Sequence, residues 1–299
     1  MAFPLKKVML VLFVASIVVT SGCVETNNEE DSKSGQGLEV ISFQAVPSEV
    51  FSEDSFDVSL EVQNKGGREA EDVRANLYSL SGATPGGDTF KSGNLDLSAP
   101  TEDFGGERAI LDWSLEAPEV PSGMEDTIKP TARIFYKYDT ISRINIPAMS
   151  KSEHKRRLSS DSEIPEISTA RVTPGPFSID VQGPSPARVE DGDEEFHFYV
   201  HGTNLLDGVP YKVDAHPDEE GELGNEDTNV IEADIEMQGA DITNNCDGED
   251  VNVIGGDSFQ LNCKAEVDDV KPVQEIPVQI TLDYGYYITD ETSVKVRGE

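Results

Sequence analysis

The sequence predicts an all-β chain, built as two tandem β-sandwiches behind an export leader and a tether. Three observations carry that prediction. Short apolar/polar alternations with a period of two dominate, and almost no stretch keeps a helical period over ten or more residues. Segments rich in Gly and Pro divide these alternations, as turns divide strands. The pattern also recurs: Glu194-Glu-Phe-His-Phe-Tyr-Val-His201 aligns with Asp54-Ser-Phe-Asp-Val-Ser-Leu-Glu61 at a shift of 140 residues. Phe56 then falls on Phe196, Val58 on Phe198, Leu60 on Val200 and Asn64 on Asn204. Many short strands without helices bury their apolar faces by stacking sheet on sheet.

Residues 1–22 read as a signal peptide. Lys6 and Lys7 form a basic start, and Val8–Val19 is an apolar run of 12 residues. As a helix that run spans about 18 Å at ~1.5 Å per residue, short of the ~30 Å hydrocarbon core of a bilayer. The small-residue site Thr20-Ser21-Gly22-Cys23 follows. It resembles the lipobox of bacterial and archaeal lipoproteins, with Thr20 in place of the usual Leu. The resemblance implies that Cys23 becomes the first mature residue and carries lipid. A plain secreted protein and an uncleaved anchor are the competing readings. Residues 23–37 hold Val24 as their one apolar residue after the cysteine, and are expected to form a flexible tether.

The first sandwich is expected over 38–149. Its clearest strand is Phe56–Gln63, with Phe56, Val58, Leu60 and Val62 on one face and Asp57, Ser59, Glu61 and Gln63 on the other. Further strands are expected at Leu38–Val46, Val73–Leu80, Ala109–Glu116, Ala132–Tyr138 and Ile141–Pro147, the last two joined by a tight hairpin at Asp139-Thr140. The second sandwich is expected over 165–299. There Ile280–Tyr286 is the counterpart of Ile134–Tyr138, and Cys263 stands where the first copy has Trp113 as a core candidate. Residues 150–164 read as a linker. They hold the basic cluster Lys151, Lys155, Arg156 and Arg157, either a contact for an acidic partner or a protease-sensitive hinge, or a short helix or loop whose cations relieve repulsion between two acidic domains. His216–Asn229 reads as a solvated loop of low order.

The stretch from Ser48 to Tyr78 resembles the CARDB-type adhesion-related domains, which are immunoglobulin-like modules of bacterial and archaeal surfaces. The motifs that carry the resemblance are the alternating strand, the turn Asn64-Lys65-Gly66 and the strand start Glu69-Ala70-Glu71-Asp72-Val73. The second copy keeps Asn204 but has Asn204-Leu-Leu-Asp-Gly208 in place of the Asn-x-Gly turn. The resemblance implies two immunoglobulin-like sandwiches with a display or adhesion role, and it transfers no catalytic residue.

Charge narrows the function. The chain has 58 acidic and 23 basic residues, spread over both halves, for a formal net charge of −35. Such a field argues against DNA, RNA and anionic lipid headgroups as partners. Dispersed acidity with few lysines resembles proteins of extreme halophiles, where salt screens self-repulsion; an acidic secreted protein from ordinary conditions is the alternative. Apart from Cys23 the cysteines are Cys246 and Cys263, an even pair expected to form a disulfide worth about 3 kcal/mol by loop closure.

Signals for chemistry are thin. His197 and His201 share a strand face but stand roughly 13 Å apart at ~3.3 Å per residue, too far to share one zinc ion. Glu190-Asp191-Gly192-Asp193-Glu194-Glu195 offers oxygen ligands around a Gly turn, so Ca²⁺ near Asp191–Glu195 competes with a plain acidic turn. Tyr136, Tyr138, Tyr284 and Tyr286 read as core or corner residues, or as a carbohydrate platform. Neither a nucleophile elbow nor a phosphate-cradling loop is present in the sequence. The expectation is a protein without catalytic residues, metal or cofactor, held outside the cytoplasmic membrane by its N-terminal lipid. It would display, adhere or contact another envelope or surface protein; the alternatives are binding of carbohydrate or Ca²⁺ and service as an accessory subunit of a surface assembly.

Overall fold

The computed structural model describes residues 36–299 apart from 190–194, 218–220, 245, 247 and 268–270. Cys23, the leader, most of the tether and Asp191–Glu194 lie outside the described residues. The chain forms β1 (Leu38–Val46), β2 (Glu49–Phe51), β3 (Ser55–Asn64), β4 (Ala70–Tyr78), β5 (Thr84–Pro85), β6 (Phe90–Leu97), β7 (Arg108–Glu116), β8 (Glu125–Ile128) and β9 (Thr131–Ser150). After helix α1 (Lys151–Ser159) come β10 (Arg171–Val172), β11 (Phe177–Gln182), β12 (Ala187–Val189), β13 (Glu195–Asn204), β14 (Val209–Tyr211) and β15 (Val230–Met237). The last strands are β16 (Ala240–Ile242), β17 (Gly248–Asn252), β18 (Ser258–Val267), β19 (Val273–Glu291) and β20 (Val294–Arg297). The protein is all-β and sandwich-type.

Each half contributes one four-stranded sheet, β1-β3-β7-β5 and β11-β13-β18-β16. Alternation decides which face turns inward. In β3, Phe56, Val58, Leu60 and Val62 are buried, as are Ala109, Leu111, Trp113 and Leu115 across from them on β7. In β13, Phe196, Phe198 and Val200 are buried at the positions that the repeat assigns. These faces belong to one continuous hydrophobic core with the inner face of a nine-stranded sheet, ordered β17-β15-β19-β9-β4-β6 with β10, β12 and β14 attached.

That large sheet corrects one expectation and crosses another. No hairpin forms at Asp139-Thr140: β9 runs unbroken for 20 residues. A two-residue hairpin turn wants Gly, Asn or Asp–Gly chemistry with positive φ, which Asp-Thr supplies poorly. Instead β9 finds a partner of its own length, pairing antiparallel with β19 from Thr131↔Glu291 to Met149↔Val273. Thr140 is fully buried, and its hydroxyl lies 2.7 Å from that of Tyr284. β9 also carries the first half directly into a sheet shared with β15 and β19, so the sheet spans the expected boundary at 150–164.

The pairing has a pseudo-two-fold axis at Lys137↔Gly285. Tyr136 faces Tyr286 and Tyr138 faces Tyr284, each tyrosine meeting the repeat counterpart of its neighbour. The strand ends are exchanged. β20, the end of the second half, pairs with β2 and β8 of the first, with Val50↔Val296 and Ile128↔Val294. The end of β9 pairs in parallel with β12 of the second half, with Arg188↔Met149. Each half thus completes the other's sheet with its own last strand.

Within 150–164 the residues Lys151–Ser159 are helical. Ser150 caps the helix by accepting from the Glu153 amide at 3.2 Å, the Ser-x-x-Glu arrangement of a capping box. The loop expected to be solvated over His216–Asn229 is anchored at Gly221. This glycine is buried with φ +73°, a Cβ there would lie 2.6 Å from the Asn76 amide, and its carbonyl accepts from Arg133 at 3.0 Å.

Candidate functional site

The groove between α1 and β12 gathers cationic side chains from two distant parts of the sequence. Lys151, His154, Lys155, Arg188 and Glu195 line a volume of about 390 Å³. Lys151, His154 and Lys155 fall at spacings of three and four, so they share one helix face. On the opposite face one carboxylate serves two guanidinium groups. Glu153 Oε2 lies 2.6 Å from Arg156 Nε, and Glu153 Oε1 lies 2.9 Å from Arg157 Nε. Hydrogen bonds from Arg156 and Arg157 hold the Glu153 carboxyl down at about 2. Arg157 also donates to the carbonyl of Glu163 at 2.6 Å.

The sequence cluster is therefore split. Lys151 and Lys155 face the groove, while Arg156 and Arg157 are bound to Glu153. Arg188 joins from β12 because that strand pairs with the end of β9, which runs straight into α1. No local sequence signal points to Arg188; its place depends on a strand pairing between residues far apart in the chain. Glu195 stands at the rim, and the Thr243 hydroxyl, with Lys264 at 3.7 Å, holds its carboxyl below the usual range.

The other sequence candidates fall as follows. Cys246 and Cys263 are joined in a disulfide across 17 residues of separation. His197 and His201 both lie on β13 paired to Lys264 and Gln260, with the buried residues Phe198 and Val200 between them. Among the described residues, no group of three or more His, Cys, Asp or Glu is placed to hold a metal ion.

The four tyrosines form a buried lattice rather than a platform for sugars. Tyr136 and Tyr286 rings lie 5.8 Å apart, Tyr138 and Tyr284 6.3 Å, and all four are buried. The Tyr138 hydroxyl donates to Pro174 O at 2.9 Å and accepts from the Arg68 amide at 3.0 Å; burial pushes its pKa up to about 12. The Tyr286 hydroxyl donates to Asn204 Oδ1 at 2.8 Å. A carbohydrate ring stacks on an exposed aromatic face, and these faces pack against one another instead.

Asn64 and Asn204 do the same work in the two halves. Asn64 Nδ2 donates to Arg68 O and Leu97 O, each at 2.7 Å, and its Oδ1 accepts from the Gly66 amide at 3.0 Å. Asn204 Nδ2 donates to Gly208 O and Gly256 O, each at 2.9 Å, and its Oδ1 accepts from the Leu206 amide at 3.3 Å. Both are fixtures of the loop after the alternating strand.

On the outer face of the large sheet Asp139 stands directly opposite Asp283. Arg68 Nε reaches both Asp139 oxygens at 2.7 and 2.9 Å. Partial burial, then Asp139, Glu232 and Asp234, raise the Asp283 carboxyl above its ordinary value.

No family model matches this chain, and no curated protein matches it in sequence. Among solved structures, red sea bream transglutaminase is similar at 16% identity with a TM-score of 0.22. The likeness covers 88% of this chain and 31% of the transglutaminase. At that score it carries no argument about fold or activity. The chain spans about a third of that protein's length.

Proposed function

We propose that this chain is a non-catalytic lipoprotein of the cell surface, tethered through Cys23 to the outer side of the cytoplasmic membrane. Its two immunoglobulin-like, CARDB-like repeats display the molecule to, or contact, another envelope protein. The observation that carries the reading is the sequence of Lys6-Lys7, the apolar run and Thr20-Ser21-Gly22-Cys23, followed by a polar tether. The Cys246–Cys263 disulfide supports it, because such bonds persist in oxidising compartments outside the cytoplasm. Acidity over both halves fits a cell living at high salt, of archaeal type. The test is Cys23→Ser followed by fractionation. The wild-type protein is expected with the membranes and the variant in the soluble fraction; a variant that still sediments fully with membranes overturns the tether.

A further inference from the structure

We propose that the outer face of the large sheet carries a binding site for a sugar acid, whose carboxylate is held between Arg143 and Arg171. The proposal goes beyond contact with an envelope protein and depends on neither that contact nor the lipid tether.

Strand pairing builds the site. Arg171 on β10 stands directly opposite Arg143 on β9, Arg143 opposite Gln279 on β19, and Gln279 opposite Glu236 on β15. Residues directly opposite one another share a face, so these side chains form one row across four strands. A second row lies beside it, where Asn145 faces Pro277 and the Gln238 amide donates to Pro277 O at 3.0 Å. Together the rows line a trough of about 740 Å³, within the ~300–1,000 Å³ of small-ligand clefts. Its wall is pinned to β9. The Ser168 amide donates to Asn145 O at 3.1 Å, the Ser168 hydroxyl accepts from the Asn145 amide at 2.8 Å, and the Thr173 amide donates to Ile141 O at 2.9 Å. Arg171 is thus fixed on a segment tied down on both sides of it.

Electrostatics single the trough out. Like charges directly opposite on a sheet repel. In a chain of 58 acids and 23 bases a carboxylate is the common neighbour of a cation, and Arg68, Arg74, Arg108 and Arg297 each hold one. Among the described residues, no carboxylate pairs with Arg143 or Arg171. Arg143 Nε donates to Gln279 Oε1 at 3.0 Å, which leaves its two Nη groups and the Arg171 fork to the trough. Glu236 closes the far end of the row, and Glu275 beyond the second row accepts from Asn145 Nδ2 at 3.2 Å. No residue of the trough adjoins one outside the described set. The chain leaves that set after Val189 and before Lys271, where Val189 pairs with Ser150 and Val273 with Met149, about 20 Å along β9 from Arg143 at ~3.3 Å per residue.

The order of charges selects the ligand. Along the row it runs positive, positive, neutral, negative. An oxyanion between the two guanidinium forks ends their repulsion through parallel N–H···O bonds. Farther along, the Gln279 and Gln238 amides suit hydroxyl groups, and Glu236 accepts from them. A second anionic group there would meet Glu236 and be repelled. One carboxylate on a polyhydroxyl frame therefore satisfies the whole row. From between the arginines to Glu236 is about 12 Å at ~4.8 Å per strand, the reach of a disaccharide.

The experiment titrates the full chain with cellobiouronic acid by calorimetry, in about 1 M potassium chloride so that the acidic body is screened. Saturable binding is expected, and the ligand should raise the melting temperature. Arg143→Ala and Arg171→Ala should each weaken binding by about tenfold, as loss of a charge-assisted contact does, and remove that rise. Lys155→Ala, an exposed cation on α1, should leave binding unchanged. Arg143 and Arg171 are exposed, and each loss relieves a like-charge contact, so neither variant should melt lower than the wild type without ligand. Absence of saturable cellobiouronate binding overturns the proposal, as does an equal loss from Lys155→Ala. Equal affinity for cellobiose, which has a hydroxymethyl group in place of the carboxylate, overturns the role of the arginine pair. Equal affinity for butyrate, a carboxylate without hydroxyls, overturns the sugar assignment.

Discussion

In the first half, the loop between β5 and β6 is held by the Trp113 indole, whose Nε1–H donates to Thr89 O at 2.8 Å. In the second half, the loop between β16 and β17 is held by the Cys246–Cys263 bond. Trp113 and Cys263 occupy the same place in the repeat: Trp113 faces Val58, and Cys263 faces Phe198. The large and small partners are interchanged across the two strands, so each half fills its core with a different pair of side chains. Core packing constrains the summed volume at a facing pair more than the identity of either member. The anchor differs as a consequence. An indole brings both bulk and a donor, whereas a thiol brings little bulk and a covalent link.

The largest effect should come from removing the bulkier anchor. Trp113→Ala empties a well-packed site and leaves Thr89 O without its donor, for an expected loss of about 3–5 kcal/mol in chemical denaturation. Reducing the disulfide of the wild-type protein should cost about 3 kcal/mol through restored loop entropy. The exchanged strands join both halves, so each change should shift one common transition. Two resolved transitions after reduction would break the comparison, by showing that the halves unfold separately.

Next come the paired asparagines. Asn64 is fully buried, while Asn204 is partly exposed. Asn64→Ala leaves the Leu97 carbonyl without its donor in a buried site and should cost about 2–3 kcal/mol. Asn204→Ala lets water reach Gly208 O and Gly256 O and should cost about 1 kcal/mol. Equal losses would mean that burial does not separate the two sites.

A smaller effect is expected at Asp283. Its folded pKa lies above the unfolded one, because burial and neighbouring acids disfavour the charged form. Stability is therefore present in acid and lost as pH rises from the ordinary carboxylate range through the folded value. Asp283→Asn should raise the melting temperature at pH 7 and leave it unchanged near pH 3. After solvent screening the gain should stay below about 1 kcal/mol. Raising potassium chloride from about 0.1 M to about 2 M should stabilise the wild type through the same repulsions and shrink the advantage of the variant. A melting temperature unaffected by salt would remove the halophile inference.

Much of this was legible in the sequence, where the signal was local. Period-two alternation marked β3 and β13, because burying one face requires it within a single strand. The even cysteine pair announced the disulfide. The Asp139-Thr140 hairpin was misread because two short strands with a polar dipeptide between them look the same as one long strand whose polar residues meet partners on another chain segment. Thr140 has its partner in Tyr284 and Asp139 in Arg68, 144 and 71 residues away. The groove was half legible: Lys151 and Lys155 stood in a visible cluster, and Arg188 did not.

Sequence alone determined the all-β class, the repeat and the core-facing residues, since each rests on residue type and spacing over short range. Only the tertiary structure decided that the halves exchange their last strands, that Tyr136, Tyr138, Tyr284 and Tyr286 meet in one buried lattice, and that Arg188 joins α1. A strand leaves its backbone donors and acceptors open on both edges, and nothing in its own alternation names the strand that satisfies them. That choice is made by the competition among all strands in the folded chain.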